Sequence, residues 1–494
     1  MASLSSYLRN LPKHQKYATY YKPNDLYWGL GVEHETYLEA TPRRSVNTAF
    51  IVNNRRQERY SVNYYASYHY EDLINAFSQY FQVGTTTYEL PILLNSHSFT
   101  CLDASGEHRT SYEKIPRANI NFNGELLIDT LKKHCQYFDT EYDRTFIFDG
   151  DTIEFMTQNF YKANVRQVID ELQSIERNFI SYLNSTLESL DILTPYLPFH
   201  IQNKNYPFVT FLTNMKNASM FNNGTIHINI TLPTILDISG NIANFELFQK
   251  QHRHYANIIQ WIEPLQVALF GSPDPFSKVN SKFSAASQRL AVSRYVGLGT
   301  FDTETMPRGK ILQVPRTSKW FNEYQASSAY TELSQMGIDI NFNKHFNHGL
   351  EIRIFDAISI QSLQELLMHY VYLADFSLQT LSCATEFPIN RHPIWEQLAK
   401  KILTYGKYAS ITQNELELYW KLFMINKKYE VDETPEQLYT DIMYNLHTIT
   451  KNGLCNKLML QSNDSGCKVV TRSARAPDST LVQEVSTKNC YCWC

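Results

Sequence analysis

The stretch Tyr27-Trp-Gly-Leu-Gly-Val-Glu-His-Glu-Thr-Tyr-Leu-Glu39 decides the fold class. Successive side chains of a strand point to opposite faces, so Val32, His34 and Thr36 share one face while Glu33, Glu35 and Tyr37 share the other. Three later stretches repeat the pattern. Thr145–Thr157 reads as two short strands around an Asp-Gly turn, with Glu154 on the second. Asn223–Leu232 sets His227 and Asn229 against Ile226, Ile228 and Ile230, and Gly349–Asp356 sets Glu351 and Arg353 against Ile352 and Ile354. An antiparallel sheet with one covered face would gather these acids and the imidazole on its second face.

Helical spacing appears between these strands. Val168, Leu172, Ile175, Phe179 and Leu183 mark an amphipathic helix over Asn164–Leu190, and a second runs from about Phe245 to Phe270, broken by Gly271-Ser-Pro273. Helices are expected to dominate from about Gln361 to Thr448. Residues 45–145 read as an insertion, with a strand at Thr86–Leu94, a helix at Glu71–Phe81 and polar loops such as Asp103–Arg109. The expected organisation is one catalytic domain over 1–462 and a polar, flexible tail over 463–494.

Composition narrows the function classes. The 494 residues carry 45 Lys+Arg against 49 Asp+Glu, a net charge of −4, which argues against a nucleic-acid coat or a polybasic membrane binder. With 43% hydrophobic residues, 28 Phe and 33 Tyr there is material for a large core, so wholesale disorder is excluded. Met1–Tyr17 is interrupted by Arg9, Lys13, His14 and Lys16 and does not read as a signal peptide, and no uncharged apolar run is long enough to span a bilayer. Cys101, Cys135, Cys383, Cys455 and Cys467 form no paired framework, so a reducing, cytoplasmic setting is expected. Sequons at Asn184, Asn217, Asn223, Asn229 and Asn463 then read as chance in an Asn-rich chain.

A single Glu-x-Glu or Glu-x-Arg on a strand is most often a solvated face, and a single strand histidine is most often packing. Four such strands carry more weight together. Clustered carboxylates repel unless a cation sits among them, and an oxygen-rich set with one His suits Mg²⁺ or Mn²⁺. Divalent ions and an Arg point to phosphoryl chemistry. Neither a P-loop nor a dinucleotide fingerprint is present.

Six segments in order carry a resemblance to the glutamate-cysteine ligases (gamma-glutamylcysteine synthetases). Gly31-Val-Glu-His-Glu-Thr36 resembles that family's first metal-binding strand, Thr152-Ile-Glu-Phe-Met-Thr157 its Leu-Glu-Phe-Ile-Thr strand, and Gly224-Thr-Ile-His-Ile-Asn229 its Gly-aliphatic-His-Tyr-Asn strand. The helix Arg253–Phe270 running into Gly271-Ser-Pro273, the segment Ser293-Arg-Tyr-Val-Gly-Leu-Gly299 and the strand Leu350-Glu-Ile-Arg353 are similar to the remaining three. The resemblance implies an α+β fold of the glutamine-synthetase type: a curved antiparallel sheet forming a funnel, flanked by helices, with insertions.

It also implies an activity. Glu33, Glu35, Glu154, His227 and Glu351 would hold Mg²⁺ (or Mn²⁺) around the phosphates of ATP, Arg353 and Asn229 would contact the nucleotide, and Arg353 would steady the transferred phosphoryl group. Arg294 would contact a substrate anion. The reaction would be ATP-dependent amide formation through an acyl phosphate, from the glutamate gamma-carboxylate and cysteine or another amine. Two departures stand: His34 replaces the family's Arg or other residue, and Val296–Phe301 lacks the family's Asp and the aromatic directly after its Gly. Cysteine is therefore not assumed as the amine. A phosphotransferase of the same fold class, similar to guanidino kinases, and a non-catalytic descendant that binds nucleotide or a partner are the alternatives. Small amino acids and ATP are the expected partners, with no nucleic acid.

The chain ends Cys490-Tyr-Cys-Trp-Cys494. A lipid anchor, or a redox or metal-binding tail, is weighed against a flexible terminus that happens to be Cys-rich, and the absence of a polybasic run favours the latter. His252 and His254 stand two apart on a helix and do not face each other.

Overall fold

The strands of the first sheet form where β-branched and aromatic residues alternate with polar ones, and each long helix begins at a capping side chain. The computed structural model describes residues 26–46, 87–111, 117–158, 163–215, 219–221, 223–235, 243–273, 285–287, 339–341, 349–382, 387, 392–427 and 433–460. Its strands are β1 (Leu26–Thr36), β2 (Leu38–Val46), β3 (Tyr88–Leu94), β4 (Thr110–Ser111), β5 (Arg117–Ala118), β6 (Phe146–Asp149), β7 (Thr152–Met156), β8 (Phe199–Ile201), β9 (Phe208–Phe211), β10 (Ser219–Met220), β11 (Thr225–Ile235), β12 (Asp339–Asn341) and β13 (Gly349–Asp356). Its helices are α1 (Ser96–Thr100), α2 (Leu127–His134), α3 (Gln136–Glu141), α4 (Val165–Ser189), α5 (Phe245–Phe270), α6 (Ile360–Thr380), α7 (Pro393–Tyr405), α8 (Gln413–Leu422) and α9 (Pro435–Thr450).

Six strands form an antiparallel sheet in the order β12-β13-β11-β1-β7-β6. Five form a second sheet, β10-β9-β3-β2-β8, in which only β3 and β9 run parallel. The protein is thus α+β with open antiparallel sheets and flanking helices. One residue, Tyr37, separates β1 from β2, so the strand that starts in the first sheet passes directly into the second. The stretch 27–39, continuous in its alternation, is shared between two sheets. Within 45–145, β3 is the middle strand of the second sheet. The helix expected at Glu71–Phe81 and the tail 463–494 lie outside the described residues.

The apolar face of the first sheet is covered by α4. Asn164 caps that helix by accepting from the Gln167 amide, and the Gln167 side chain accepts from the Asn164 amide in return. Phe179 at its centre meets Phe155 of β7 at 5.1 Å and Phe146 of β6 at 4.8 Å between ring centres, both edge to face. Further out, α5 is buried almost all round, with Tyr255, Ile258, Ile259, Ile262 and Leu265 fully enclosed. Pro264 within it has no N–H to offer the Gln260 carbonyl four residues back. Trp395 of α7 donates its indole N–H to that carbonyl at 2.8 Å, and Tyr419 of α8 donates to the Trp261 carbonyl at 2.7 Å. The carbonyl that Pro264 leaves without a helical donor thus serves as an anchoring point for α7.

Candidate metal centre on the polar face of the first sheet

Register brings the four polar strand faces together. Glu33 of β1 lies opposite His227 of β11, Glu35 opposite Glu154 of β7, and Asn229 opposite Glu351 of β13. The β11–β13 pairing slips by one between Ile226 and Ile228, so that His227 alone faces both Arg353 and Ile354. A bulge of this kind bends the strand and re-aims its side chains. Gly224, at φ +85°, lets the chain enter β11 close beneath β1: a Cβ there would lie 2.2 Å from the Glu35 carbonyl oxygen.

His227 is the hub. It is 1% exposed, with Nδ1 3.2 Å from Glu33 Oε2 and 3.6 Å from Glu351 Oε1, and Nε2 3.5 Å from Glu35 Oε1. Asn229 donates Nδ2 to Glu33 Oε1 at 3.2 Å and so fixes that carboxylate's orientation. Arg353 donates Nη1 to Glu351 Oε1 at 2.6 Å. Two trios result, Glu33 with His227 and Glu351, and Glu35 with Asp149 and Glu154, each offering ligand atoms within 4.8 Å of one another. Burial, then the charges of Glu33, Glu35, Asp149 and Glu351, push the Glu154 carboxyl well above its usual range. With Glu154 buried beside so many acids, its neutral form is favoured until positive charge is supplied.

The donor set fits a hard divalent ion. An octahedral Mg²⁺ with bonds of about 2.1 Å spaces its ligands about 3 to 4 Å apart, a distance these trios reach with small side-chain adjustment. Carboxylate oxygens with a single imidazole match Mg²⁺ or Mn²⁺ better than a thiolate-seeking ion.

All five metal-ligating candidates, Glu33, Glu35, Glu154, His227 and Glu351, meet on one face, with Asn229 and Arg353 beside them. Arg294 lies outside the described residues, as do the Ser293–Gly299 segment and the acids Asp274 and Asp302. Asp149 joins the cluster unannounced, because Asp149-Gly150 is read as turn chemistry. The signal was present: Glu154 pairs with Ile147, and Asp149 two residues on shares that face. His34 points the other way, as its place in the alternation requires, and meets Glu176 of α4 at 2.6 Å. His252 and His254 diverge. His252 accepts from the Leu232 amide and contacts the Phe248 carbonyl, whereas His254 reaches Thr380.

No helix among the described residues is long and apolar enough to cross a membrane. No protein-family model matches the chain. An uncharacterized protein of Acanthamoeba polyphaga mimivirus is 39% identical to it over 375 residues, covering 74% of this chain. The chain spans 66% of that protein's length. An α+β protein with a buried carboxylate and imidazole cluster on one sheet face is the class that fold and site define. The mimivirus protein shares sequence with it and carries no assigned activity.

Proposed function

We propose that the protein is an ATP-dependent carboxylate-amine ligase with a glutamine-synthetase-like, funnel-shaped sheet, related to the glutamate-cysteine ligases. The observation that carries this reading is the meeting of Glu33, Glu35 and Glu351 around His227, with Glu154 and Asp149 gathered beside Glu35 and Arg353 paired to Glu351. Glu33, His227 and Glu351 would hold one Mg²⁺ or Mn²⁺, and Glu35, Asp149 and Glu154 a second. Such ions supply charge neutralisation for the ATP phosphates.

A free carboxylate is a poor acyl donor because its oxygen is a poor leaving group. Attack of a substrate carboxylate oxygen on the gamma-phosphorus of ATP forms an acyl phosphate and expels ADP. The amine nitrogen then attacks the acyl carbon, the phosphate leaves with the C–O electron pair, and the nitrogen gives up a proton, leaving an amide. The chain's own contribution is orientation and charge: Asn229 holds Glu33, Glu351 holds Arg353, and the Arg353 guanidinium would meet negative charge building on the transferred phosphoryl group. The glutamate gamma-carboxylate is the proposed acyl donor, with cysteine or another small amine as acceptor.

The test is ADP release by the purified protein with ATP and Mg²⁺, given glutamate alone, cysteine alone, both, and then other amines with glutamate. Release that requires an acid and an amine together, with the amide mass in the products, is the expected result. Glu33→Gln and Glu351→Gln are expected to lower it by about 100-fold or more while leaving the circular dichroism spectrum unchanged. A phosphorylated acceptor without amide would replace the ligase by a phosphotransferase.

A further inference from the structure

On the face of the first sheet that α4 covers lies a chamber of about 370 Å³, within the range of small-molecule pockets. Leu172 of α4, Ile201 of β8, Ile226 of β11, Phe270 of α5 and Leu363 of α6 give it an apolar wall. Set into that wall is a pair of titratable side chains. His34 of β1 and Glu176 of α4, one helical turn on from Leu172, meet there through Nδ1 and Oε1 at 2.6 Å.

Each member of the pair keeps one atom in reserve. A neutral imidazole that gives its Nδ1–H to Glu176 has its lone pair on Nε2. His34 Nε2 and Glu176 Oε2 both lack a hydrogen-bond partner among the described residues, and neither is sealed from solvent. Two acceptors therefore open onto the chamber. Glu176 is also short of a counter-charge. Its side chain is only 19% exposed, yet no Lys or Arg among the described residues pairs with it, and the His34 imidazole is its one ion-pair partner there. A carboxylate withdrawn that far from water is ordinarily matched by a cation. The rest of the wall does not supply one, because Lys204 and the first turn of α6 end in solvent, with Lys204, Ser359 and Gln361 exposed.

We propose that this chamber binds a small organic ammonium ion, a primary amine carried on an apolar body. The ammonium donates to Glu176 Oε2 and His34 Nε2, and the body lies against Leu172, Phe270 and Leu363. The ligand brings Glu176 the cation it lacks, and its body displaces water from the apolar wall. The site is on the far face of the sheet from the carboxylate cluster and does not depend on the ligase reading.

Calorimetric titration of the full chain with phenethylamine and with cyclohexylamine tests it, in EDTA, without nucleotide, at about pH 8, above the ordinary range of imidazole. Methylamine, phenylethanol and phenylpropionate are the controls: head without body, body without charge, and body with the opposite charge. Saturable binding of at least one of the two amines at one site per chain is expected, below about 1 mM, with each control about tenfold weaker or more. Glu176→Gln keeps the shape and an acceptor for His34 but removes the charge, and should weaken binding by about tenfold or more. Ala357→Leu, at a half-buried position of the wall, fills part of the chamber and should do the same, so a second variant decides the matter if Glu176→Gln does not fold. Absence of saturable binding up to about 10 mM, phenylethanol or phenylpropionate binding as tightly as the amines, or unchanged binding in either folded variant would overturn the assignment.

Discussion

Replacing Glu154 by Gln should make the metal-free protein more stable and the metal-bound protein less so. Two carboxylates within 4.8 Å repel by about 3.5 kcal/mol at an effective dielectric of about 20, and Glu35 and Asp149 both stand at that range from Glu154. Full ionisation would therefore cost about 7 kcal/mol. Holding a proton is the cheaper course, and burial with the neighbouring acids accordingly raises the Glu154 carboxyl well above its usual range. The sign follows from proton binding. Glu154 keeps its proton to higher pH in the folded chain than in the unfolded one, so raising the pH above about 4.5 removes about 1.4 kcal/mol of stability per unit until the folded group ionises. Gln carries no proton to lose. An unfolding entropy of about 2 cal/mol/K per residue over 494 residues gives about 1 kcal/mol/K, so each kcal/mol returned raises the melting temperature by about 1 °C. Mg²⁺ at about 100 times its dissociation constant would return about 2.7 kcal/mol to the wild type, and less to a variant short of one ligand. Thermal melts in EDTA and in Mg²⁺, at about pH 5 and about pH 7.5, read all of this. A variant that melts below the wild type in EDTA at the higher pH, or an equal Mg²⁺ response in both proteins, would refute the reasoning.

Three further outcomes are expected. Arg353→Lys keeps the charge but not the planar fork that grips Glu351, and turnover should fall by about tenfold or more with little change in melting temperature. Gly224→Ala places a Cβ 2.2 Å from the Glu35 carbonyl at a positive φ, and denaturant unfolding should show a loss of roughly 3 kcal/mol or more. Burial raises the Glu365 carboxyl of α6 to about 7, so between pH 4.5 and 7 the folded chain holds the extra proton and loses up to about 3 kcal/mol as the pH rises. Glu365→Gln should flatten that slope in pH-dependent denaturation, and an unchanged slope would place the titrating group elsewhere.

Period two made the site legible because i and i+2 share a face whatever the partner strand is. Glu33 with Glu35, His227 with Asn229, and Glu351 with Arg353 could each be paired from the chain alone. Cross-strand register could not. His227 meets Glu33 and Glu35 through the β1–β11 register and Glu351 across the slip opposite Arg353, and no local pattern encodes either. Asp149 was masked by a competing local meaning, since Asp-Gly satisfies a turn as well as it supplies a ligand. The second sheet was hard to read for a different reason. Leu38-Glu-Ala-Thr-Pro-Arg-Arg-Ser-Val46 is polar, proline-bearing and irregular between Glu39 and Arg43, and its partner β3 lies some forty residues on. The long helices α4 and α5 were the easiest elements, because 25 and 26 residues of apolar periodicity leave little room for another reading.

The single residue between β1 and β2 has a mechanical consequence. Glu33 and Glu35 sit at the end of a strand whose next residues are already laced into another sheet, and Tyr37 between them is tied by its hydroxyl to Asp151, beside the turn that carries Asp149. Tension applied to the second sheet therefore runs straight through the ligands of the first. Trimming the chain to a minimal core is expected to fail for that reason: a fragment that keeps the acids in place has to keep β2, and with β2 come the strands on either side of it.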